Sequence, residues 1–279
     1  MERTKSRRTS ERKGPELLNI DYPAMMEEIL NMPGEVGNAY NRFRRYSLLN
    51  QALLMSQGVT EPINTFKGWQ ELGRQVQKGS KAKFIIRPIT IKRENDKGEE
   101  EQFMRFKPVN CLFTVSETEG DDLSEYEPPE WSEKRALGAL AINRVAYEGL
   151  DGNVAGYSYE RNVAVSPVAP YPFKTLMHEL GHVVLGHTAA DAHAEYTQHR
   201  GIAEFQAEAT AYLVLNELGA TDQMDASVSR GYVQSWLSGE KPDDKAIRAV
   251  FSTTDNIVRA GMTKERSTAE GLLSDLSQK

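Results

Sequence analysis

The stretch FKTLMHELGHVVLGH (residues 173–187) decides the fold of the second half of the chain, because it places His178, Glu179 and His182 in the spacing H-E-x-x-H. On a helix, residues four apart lie about 40° apart and one turn from each other. Both imidazoles can then reach one metal ion. Glu179 lies beside them, close enough to take a proton from a water molecule that the metal activates. The pattern indicates a helix with a metal-dependent hydrolytic site.

A catalytic zinc site needs a third protein ligand and one open position. His187 is a poor candidate for that ligand. The longer pattern H-E-x-x-H-x-x-G-x-x-H requires a glycine and a histidine where this chain has Leu185 and Thr188. The third ligand is therefore expected from another helix.

A second predicted helix, residues 202–218, carries two glutamates four residues apart on one face. Glu208 begins the otherwise apolar stretch EATAYLV, and a carboxylate in such surroundings needs a partner such as a metal ion. We therefore expect Glu208 to be the third ligand. Glu204 lies one turn nearer the helix start and is expected just outside the ligand set, although the two glutamates could exchange roles.

Composition excludes several classes of protein. The chain has 279 residues, a mass of 31.3 kDa and a mean hydropathy of -0.56, and no apolar run approaches the ~18 residues that span a bilayer. Residues 1–14 are charged, so no signal peptide is expected. The single cysteine, Cys111, excludes an internal disulfide and an all-cysteine metal site. We expect a cytoplasmic protein without membrane contact.

The net charge of -6 is unevenly distributed. Residues 1–107 carry a net charge of +6 and residues 108–279 one of -12, while residues 40–93 alone carry +9. This pattern is typical of a basic module fused to an acidic one. A basic module attracts phosphate backbones, but a solvated basic face without a partner explains the charge equally well.

The sequence predicts an α+β fold in two domains. An acidic segment with Pro128 and Pro129 marks the boundary. We expect a disordered basic tail over residues 1–15 and an α+β module over residues 16–127. A mainly helical, zincin-like module with a small β-sheet follows over residues 128–262, and then a flexible tail over residues 263–279.

Three sequence features of the first module bear on its fold or on its partner. Aromatic residues alternate with basic ones, as in proteins that stack unpaired bases beside a basic groove. Thr65 can cap a short helix that Gly73 ends, and two strands follow near residues 83–92 and 103–115. The basic segment of residues 77–81 is a candidate phosphate contact, or equally a plain turn between a helix and a strand.

These motifs together resemble a known family. HELGHVVLGH (residues 178–187), EFQAEATAYLV (residues 204–214) and the helical stretch of residues 231–261 are similar to the metallopeptidase domain of ArdC-type antirestriction proteins and the related ImmA/IrrE peptidases. Tyr46, Asn50, residues 65–88 and LFTVSETEG (residues 112–120) resemble the single-stranded-DNA-binding domain of the ArdC family.

The resemblance implies a protein carried by plasmids or phages, with a basic domain that binds single-stranded DNA and a zincin domain. It implies one Zn²⁺ per chain, with Mn²⁺ or Co²⁺ as substitutes. The implied ligands are His178, His182 and Glu208, with Glu179 as the catalytic base. One departure is Glu117, where the family has glutamine, because a carboxylate there repels phosphate.

Residue types and resemblance together give a set of expected DNA contacts, which are basic, aromatic or amide side chains of the first module. They are Arg42, Arg45, Tyr46, Asn50, Phe66, Lys67, Trp69, Arg74, Lys78, Lys81, Lys83 and Arg87.

Three functions fit these observations. The leading one is an antirestriction-type protein that binds single-stranded DNA and carries a zinc-dependent, peptidase-like site of unknown protein substrate. The second is a regulatory metalloprotease that cleaves a repressor. The third is a DNA-coating protein with a structural metal, which Glu179 disfavours because a structural site needs no base.

DNA binding is expected to reside in the first module and to be independent of the metal. Affinity should fall steeply with salt, because each phosphate contact releases counterions. Single strands should be preferred over duplex, because stacking on Phe66 or Trp69 requires unpaired bases. Replacing Lys78 and Lys81 with alanine should reduce the salt slope. The measurement is a titration of a fragment ending near Glu127 with both DNA forms, with and without a chelator.

A fragment ending near Glu127 is expected to bind single-stranded DNA at least as well as the whole chain, because it lacks the repulsive acidic half. Equal affinity for duplex and single strands would contradict the stacking argument. Loss of binding on chelation would contradict the independence from metal.

Overall fold

The computed structural model describes residues 21–31, 46–94, 100–123, 130–149, 154–189, 200–239 and 242–263. Helices and strands are mixed, which confirms the α+β class. The helices are α1 (Tyr22–Asn31), α2 (Leu48–Ser56), α3 (Phe66–Glu71), α4 (Glu133–Leu140), α5 (Pro172–Leu185), α6 (Arg200–Glu217), α7 (Ala226–Ser238) and α8 (Asp244–Gly261). None of them is long and apolar enough to cross a membrane.

The described strands form three small sheets. They are β1 (Ile63–Thr65), β2 (Arg74–Val76), β3 (Lys83–Glu94), β4 (Glu100–Thr114), β5 (Thr118–Gly120), β6 (Asn143–Arg144), β7 (Gly156–Tyr159) and β8 (Asn162–Val165). The sheet orders are β1-β4-β3, β2-β5 and β6-β8-β7. The two long strands predicted for the first module pair in antiparallel fashion as β3 and β4, from Lys83 opposite Leu112 to Glu94 opposite Glu100.

Short polar side chains fix where several helices begin. Each accepts a backbone N–H of the first turn, which would otherwise have no partner in the helix. These capping residues are Ser47, Thr65, Ser132, Asp225 and Asp243. The cap at Thr65 agrees with the prediction from the sequence. Helix α4 ends at Leu140, because Ala141 takes a left-handed conformation.

One apolar cluster joins both halves of the chain. Met26 and Leu30 of α1, together with Leu48 of α2, are fully buried in the same cluster as Val250 and Phe251 of α8. Helix α1 packs against α7 and α8, and α2 packs against β3 and α8. A second, smaller cluster lies between α2 and the first sheet.

The shared cluster bears on the predicted domain boundary, part of which lies outside the described residues. A fragment ending near Glu127 would expose the apolar faces of α1 and α2 to water, at a cost of about 25 cal/mol per Å². Independent folding of the two parts stays a prediction of the sequence, and the shared core argues against it for the first part.

A buried carboxylate joins α2 to α8. Both side-chain oxygens of Asp255 accept the backbone N–H of Leu48, at 2.9 and 3.2 Å. Burial raises the pKa of Asp255 to about 6, although Arg259 and the Leu48 N–H lower it. The folded protein therefore prefers the neutral acid at this position more strongly than the unfolded chain does.

Asp255 should make the stability depend on pH. Because its folded-state pKa is raised, its contribution is fully present below the ordinary value of 3.8 and is lost as the pH rises through about 6. Asp255→Asn keeps an acceptor for the Leu48 N–H without a charge. We expect this variant to gain roughly 1–3 kcal/mol in unfolding free energy at a pH near 7.5, and little at a pH near 4.

The measurement is urea unfolding at both pH values, with Asp222→Asn as the control because Asp222 is an exposed acid. An equal effect of Asp255→Asn at the two pH values would contradict the assignment.

Candidate metal centre

Helix α5 carries the H-E-x-x-H residues, as the sequence predicted. Pro172 occupies its first turn, where a missing N–H costs nothing, and Gly186 ends it with a positive φ of 83°. His182 and Glu179 are buried and His178 is half-buried. The polar residues of this helix therefore face the protein rather than the solvent.

Close contact between α5 and α6 brings the two halves of the centre together. A Cβ atom on Gly181 would lie 3.2 Å from Ala207 Cα and 3.4 Å from Ala207 O, both backbone atoms. The absence of a side chain at Gly181 thus lets the helix backbones approach. This approach sets the side chains of α6 beside the histidines.

Three side-chain atoms converge between these helices. His178 Nε2 lies 3.2 Å from His182 Nε2, and Glu204 Oε2 lies 3.5 Å from the first and 3.8 Å from the second. Ligand atoms about 2.0–2.1 Å from a tetrahedral zinc ion are roughly 3.3 Å from one another. Within the described part of the chain, this is a group whose donor atoms could hold one metal ion.

Glu208 occupies a different position from the one the sequence suggested. Its Oε2 lies 3.2 Å from Nδ1 of His178, on the opposite side of that ring from Nε2. Lys174 Nζ lies 2.8 Å from the same oxygen. Among the converging donor atoms the structure places Glu204 Oε2 and not Glu208 Oε2. Which glutamate is the third ligand stays a prediction.

These contacts shift the pKa values of His178 and Glu208. Burial lowers the pKa of His178, but hydrogen bonds to Glu204 and Glu208 outweigh it and raise the pKa to about 9. Burial raises the pKa of Glu208, but the hydrogen bond with His178 and the charge of Lys174 bring it down to about 2. Glu208 is therefore ionised and holds a proton on His178 Nδ1.

Glu179 lies next to the centre and is held from the neighbouring sheet. Ser158 Oγ on β7 donates a hydrogen bond to Glu179 Oε2 at 2.6 Å. A Cβ atom on Gly156 would lie 2.6 Å from Thr175 Cγ2 and 2.9 Å from Ala164 O. Glycine at this position lets β7 lie close to α5, so that Ser158 reaches Glu179.

His187 is not among the converging donors. It contacts Nδ1 of His182, whereas Nε2 of His182 faces the centre. The two Nδ1 atoms are 3.0 Å apart, and His187 Nε2 lies 3.2 Å from Gln206 Oε1. Burial, followed by the charge of His182, lowers the pKa of His187 to about 4. This ring is therefore neutral near pH 7.

Several of the expected DNA contacts make hydrogen bonds within the protein. Trp69 is 1% exposed and donates from Nε1 to Phe113 O at 2.7 Å, so it cannot stack on a base in this conformation. Asn50 Nδ2 donates to the backbone oxygen of Ile86 at 3.0 Å, and Asn50 Oδ1 accepts the Ile86 N–H at 2.8 Å. Arg74 bonds Thr118, Gly120 and Asp121.

Two expected lysine contacts are engaged in ion pairs. Lys83 Nζ lies 2.8 Å from Glu117 Oε1. Glu117 also accepts the backbone N–H of Thr114, which explains a carboxylate at this position. Lys67 Nζ lies 3.7 Å from Glu71 Oε1, an exposed pair worth little in water.

The other expected contacts divide by exposure. Phe66 is 44% exposed, with its ring edge against Phe113, and Lys78 and Lys81 are exposed. Tyr46 packs against the smaller apolar cluster, and Arg87 lies beside the thiol of Cys111. Arg42 and Arg45 lie outside the described residues.

Sequence reasoning missed the residues that support the centre. Ser158 donates a hydrogen bond to Glu179. Lys174 forms an ion pair with Glu208, and Gln206 contacts His187. Lys174 could have been found, because it lies one helical turn before His178. Ser158 and Gln206 meet their partners only through packing between elements, so no local pattern marks them.

Comparison with known proteins gives a family for part of the chain. Residues 30–115 match the family model described as the N-terminal domain of anti-restriction factor ArdC. No curated protein matches the chain in sequence.

Two crystal structures of the antirestriction ArdC protein from plasmid R388 are similar to this one. The metal-free structure has 19% sequence identity and a TM-score of 0.49, with 93% of this chain and 99% of that chain covered. The Mn(II)-bound structure has 19% identity and a TM-score of 0.47, with 88% and 100% covered. The family match identifies residues 30–115 as an ArdC-type N-terminal domain.

Proposed function

We propose that this chain is an antirestriction protein that binds single-stranded DNA through its first half and holds one divalent metal ion in a peptidase-like site in its second half. The observation that carries the proposal is the convergence of His178, His182 and Glu204 beside Glu179. The match to the N-terminal domain of anti-restriction factor ArdC supports the antirestriction role.

The donor set fits zinc. Two imidazole nitrogens, one carboxylate oxygen and an open fourth position are the ligands of many catalytic zinc sites, and Mn²⁺ or Co²⁺ can substitute. His178, His182 and Glu204 would hold the ion. When bound, it would supply Lewis-acid polarisation of a substrate carbonyl or a water molecule.

Glu179 is the base in this proposal. It neighbours His178 in sequence but has no place among the converging donor atoms, so it stays available to accept a proton. The hydroxyl of Ser158 occupies one carboxylate oxygen and fixes the side-chain orientation. Such a fixed carboxylate is what hydrolysis needs and what a purely structural metal site lacks.

The sheet next to the centre suits an extended peptide. In the order β6-β8-β7, strand β7 lies at one of the two edges of the sheet among the described residues. A peptide can add to an open strand edge through backbone hydrogen bonds. Because β7 also carries Ser158, a peptide bound there would lie near Glu179. This arrangement favours a protein substrate.

The first half supplies the DNA-binding surface. Phe66 offers an exposed ring, and Lys78 and Lys81 offer exposed charges in the segment with a net charge of +9. An exposed ring beside basic groups is the usual arrangement for binding unpaired bases. Phe66, rather than the buried Trp69, is therefore the proposed stacking residue.

The metal ligands can be tested by replacing a single glutamate with glutamine, which exchanges one carboxylate oxygen for an NH₂ group. Glu204→Gln should abolish stoichiometric zinc, because it removes a charged ligand. Glu208→Gln should keep zinc bound with an affinity weakened about 10–100-fold, because it changes only the partner of a ligand. The measurement is zinc content after gel filtration, followed by competition with a chelator. Full zinc in Glu204→Gln and none in Glu208→Gln would restore the assignment based on sequence.

The function can be tested with unmodified phage plated on a restricting host. Expression of the chain should raise the plating efficiency clearly above that with an empty vector, because the protein would protect the incoming DNA from restriction. Lys78→Glu with Lys81→Glu should lower this protection, and Lys134→Glu with Lys245→Glu, at two exposed lysines of the second half, is the control. Unchanged plating with the intact chain would refute the antirestriction role. Glu179→Gln shows whether hydrolysis contributes.

A further inference from the structure

A chain of three polar contacts leads from the metal centre to α8. His182 Nδ1 lies 3.0 Å from His187 Nδ1, and His187 Nε2 lies 3.2 Å from Gln206 Oε1. Gln206 Nε2 then donates to the backbone oxygen of Ala246 at 3.2 Å. Gln206 is itself buried, so its amide is fixed by these partners.

The direction of each hydrogen bond follows from the last contact. The Ala246 carbonyl can only accept, so the Gln206 NH₂ faces it and the Gln206 oxygen faces His187. That oxygen can only accept, so His187 Nε2 carries a proton. In the neutral ring, His187 Nδ1 then has a lone pair and accepts from His182 Nδ1.

The consequence lies at the metal centre. With its proton on Nδ1, the neutral His182 ring has a lone pair on Nε2, the atom that faces His178 and Glu204. Glu208 accepts a hydrogen bond from Nδ1 of His178, whose Nε2 also faces the centre. Both histidines therefore present Nε2 to the centre, but one is held by a carboxylate and the other by a neutral imidazole.

We propose that His187 is a positioning residue, which together with Gln206 holds His182 in the tautomer that can bind a metal ion through Nε2. The proposal rests on the proposed function of the centre as a metal site. His187 acts through its Nδ1 lone pair and is not itself a ligand. Loss of such a partner typically weakens metal affinity 10–100-fold.

Two substitutions separate this role from packing. The amide oxygen of His187→Asn can lie near the position of Nδ1 and accept from His182. His187→Gln is closer to histidine in size and places its amide near Nε2, where it can bond Gln206, but it leaves the Nδ1 position without an acceptor. A packing role favours the glutamine variant, whereas a tautomer role favours the asparagine variant.

The experiment uses the full-length chain with histidine ¹⁵N labels. In the metal-free protein at a pH of about 8, ¹⁵N shifts identify which nitrogen of each neutral ring carries the proton. We expect the Nδ1–H tautomer for His182 and the Nε2–H tautomer for His187. His187→Asn should keep the His182 tautomer, and His187→Gln and His187→Ala should shift it toward Nε2–H.

Zinc competition with a chelator gives the second measurement. His187→Ala and His187→Gln should bind zinc about 10–100-fold more weakly than the unaltered chain, and His187→Asn within a few-fold of it. An Nε2–H tautomer of His182 in the unaltered chain would overturn the proposal, as would equal tautomers and affinities in all variants. If a variant does not fold, the tautomers of the unaltered chain decide.

Failure of the metal site itself would look different. If the unaltered chain binds no zinc, the proposed function is wrong, yet the tautomers of the metal-free chain still show whether His187 and Gln206 set the His182 proton.

Discussion

The close approach of α5 and α6 at Gly181 is the contact on which the rest of the centre depends. A Cβ atom there would lie 3.2 Å from Ala207 Cα, so the helix backbones would have to move apart by a few tenths of an ångström. Since His178 and His182 lie on one helix and Glu204 on the other, the spacing of these helices sets the distances between the donor atoms. Small side chains at this crossing thus set the geometry of the site.

Helix α6 also connects the centre to the remainder of the fold. It is buried along most of its length and packs against α5, α7 and α8. Near its end, Glu217 Oε2 lies 3.5 Å from Gln51 Nε2 of α2. Together with the Asp255–Leu48 contact, this pair ties the first half of the chain to the helices that hold the centre. Because hydrogen bonds need matched partners, these polar contacts favour one defined arrangement of the two halves more strongly than apolar packing alone does.

The sequence predicted local features well because local rules control them. The helix at residues 173–185, the cap at Thr65 and the two long strands all follow from residue spacing and capping chemistry. The two histidines could be assigned to one site from the sequence because residues four apart lie on the same face of a helix.

The choice between Glu204 and Glu208 could not be made in the same way. Four-residue spacing puts both on one face, and only the packing of α6 on α5 decides which carboxylate reaches Nε2 and which reaches Nδ1. Trp69 presents the same difficulty, since an aromatic residue among lysines suits burial and stacking equally. Its burial beneath β4 is a long-range contact that periodicity does not encode.

A crystal structure of the zinc-loaded chain, with anomalous diffraction recorded at the zinc edge, tests the central claim most directly. We expect one anomalous peak between α5 and α6, with Nε2 of His178, Nε2 of His182 and a carboxylate oxygen of Glu204 at about 2.0–2.2 Å from it. A peak bound by Glu208 or His187 in place of Glu204, or no peak between these helices, would contradict it.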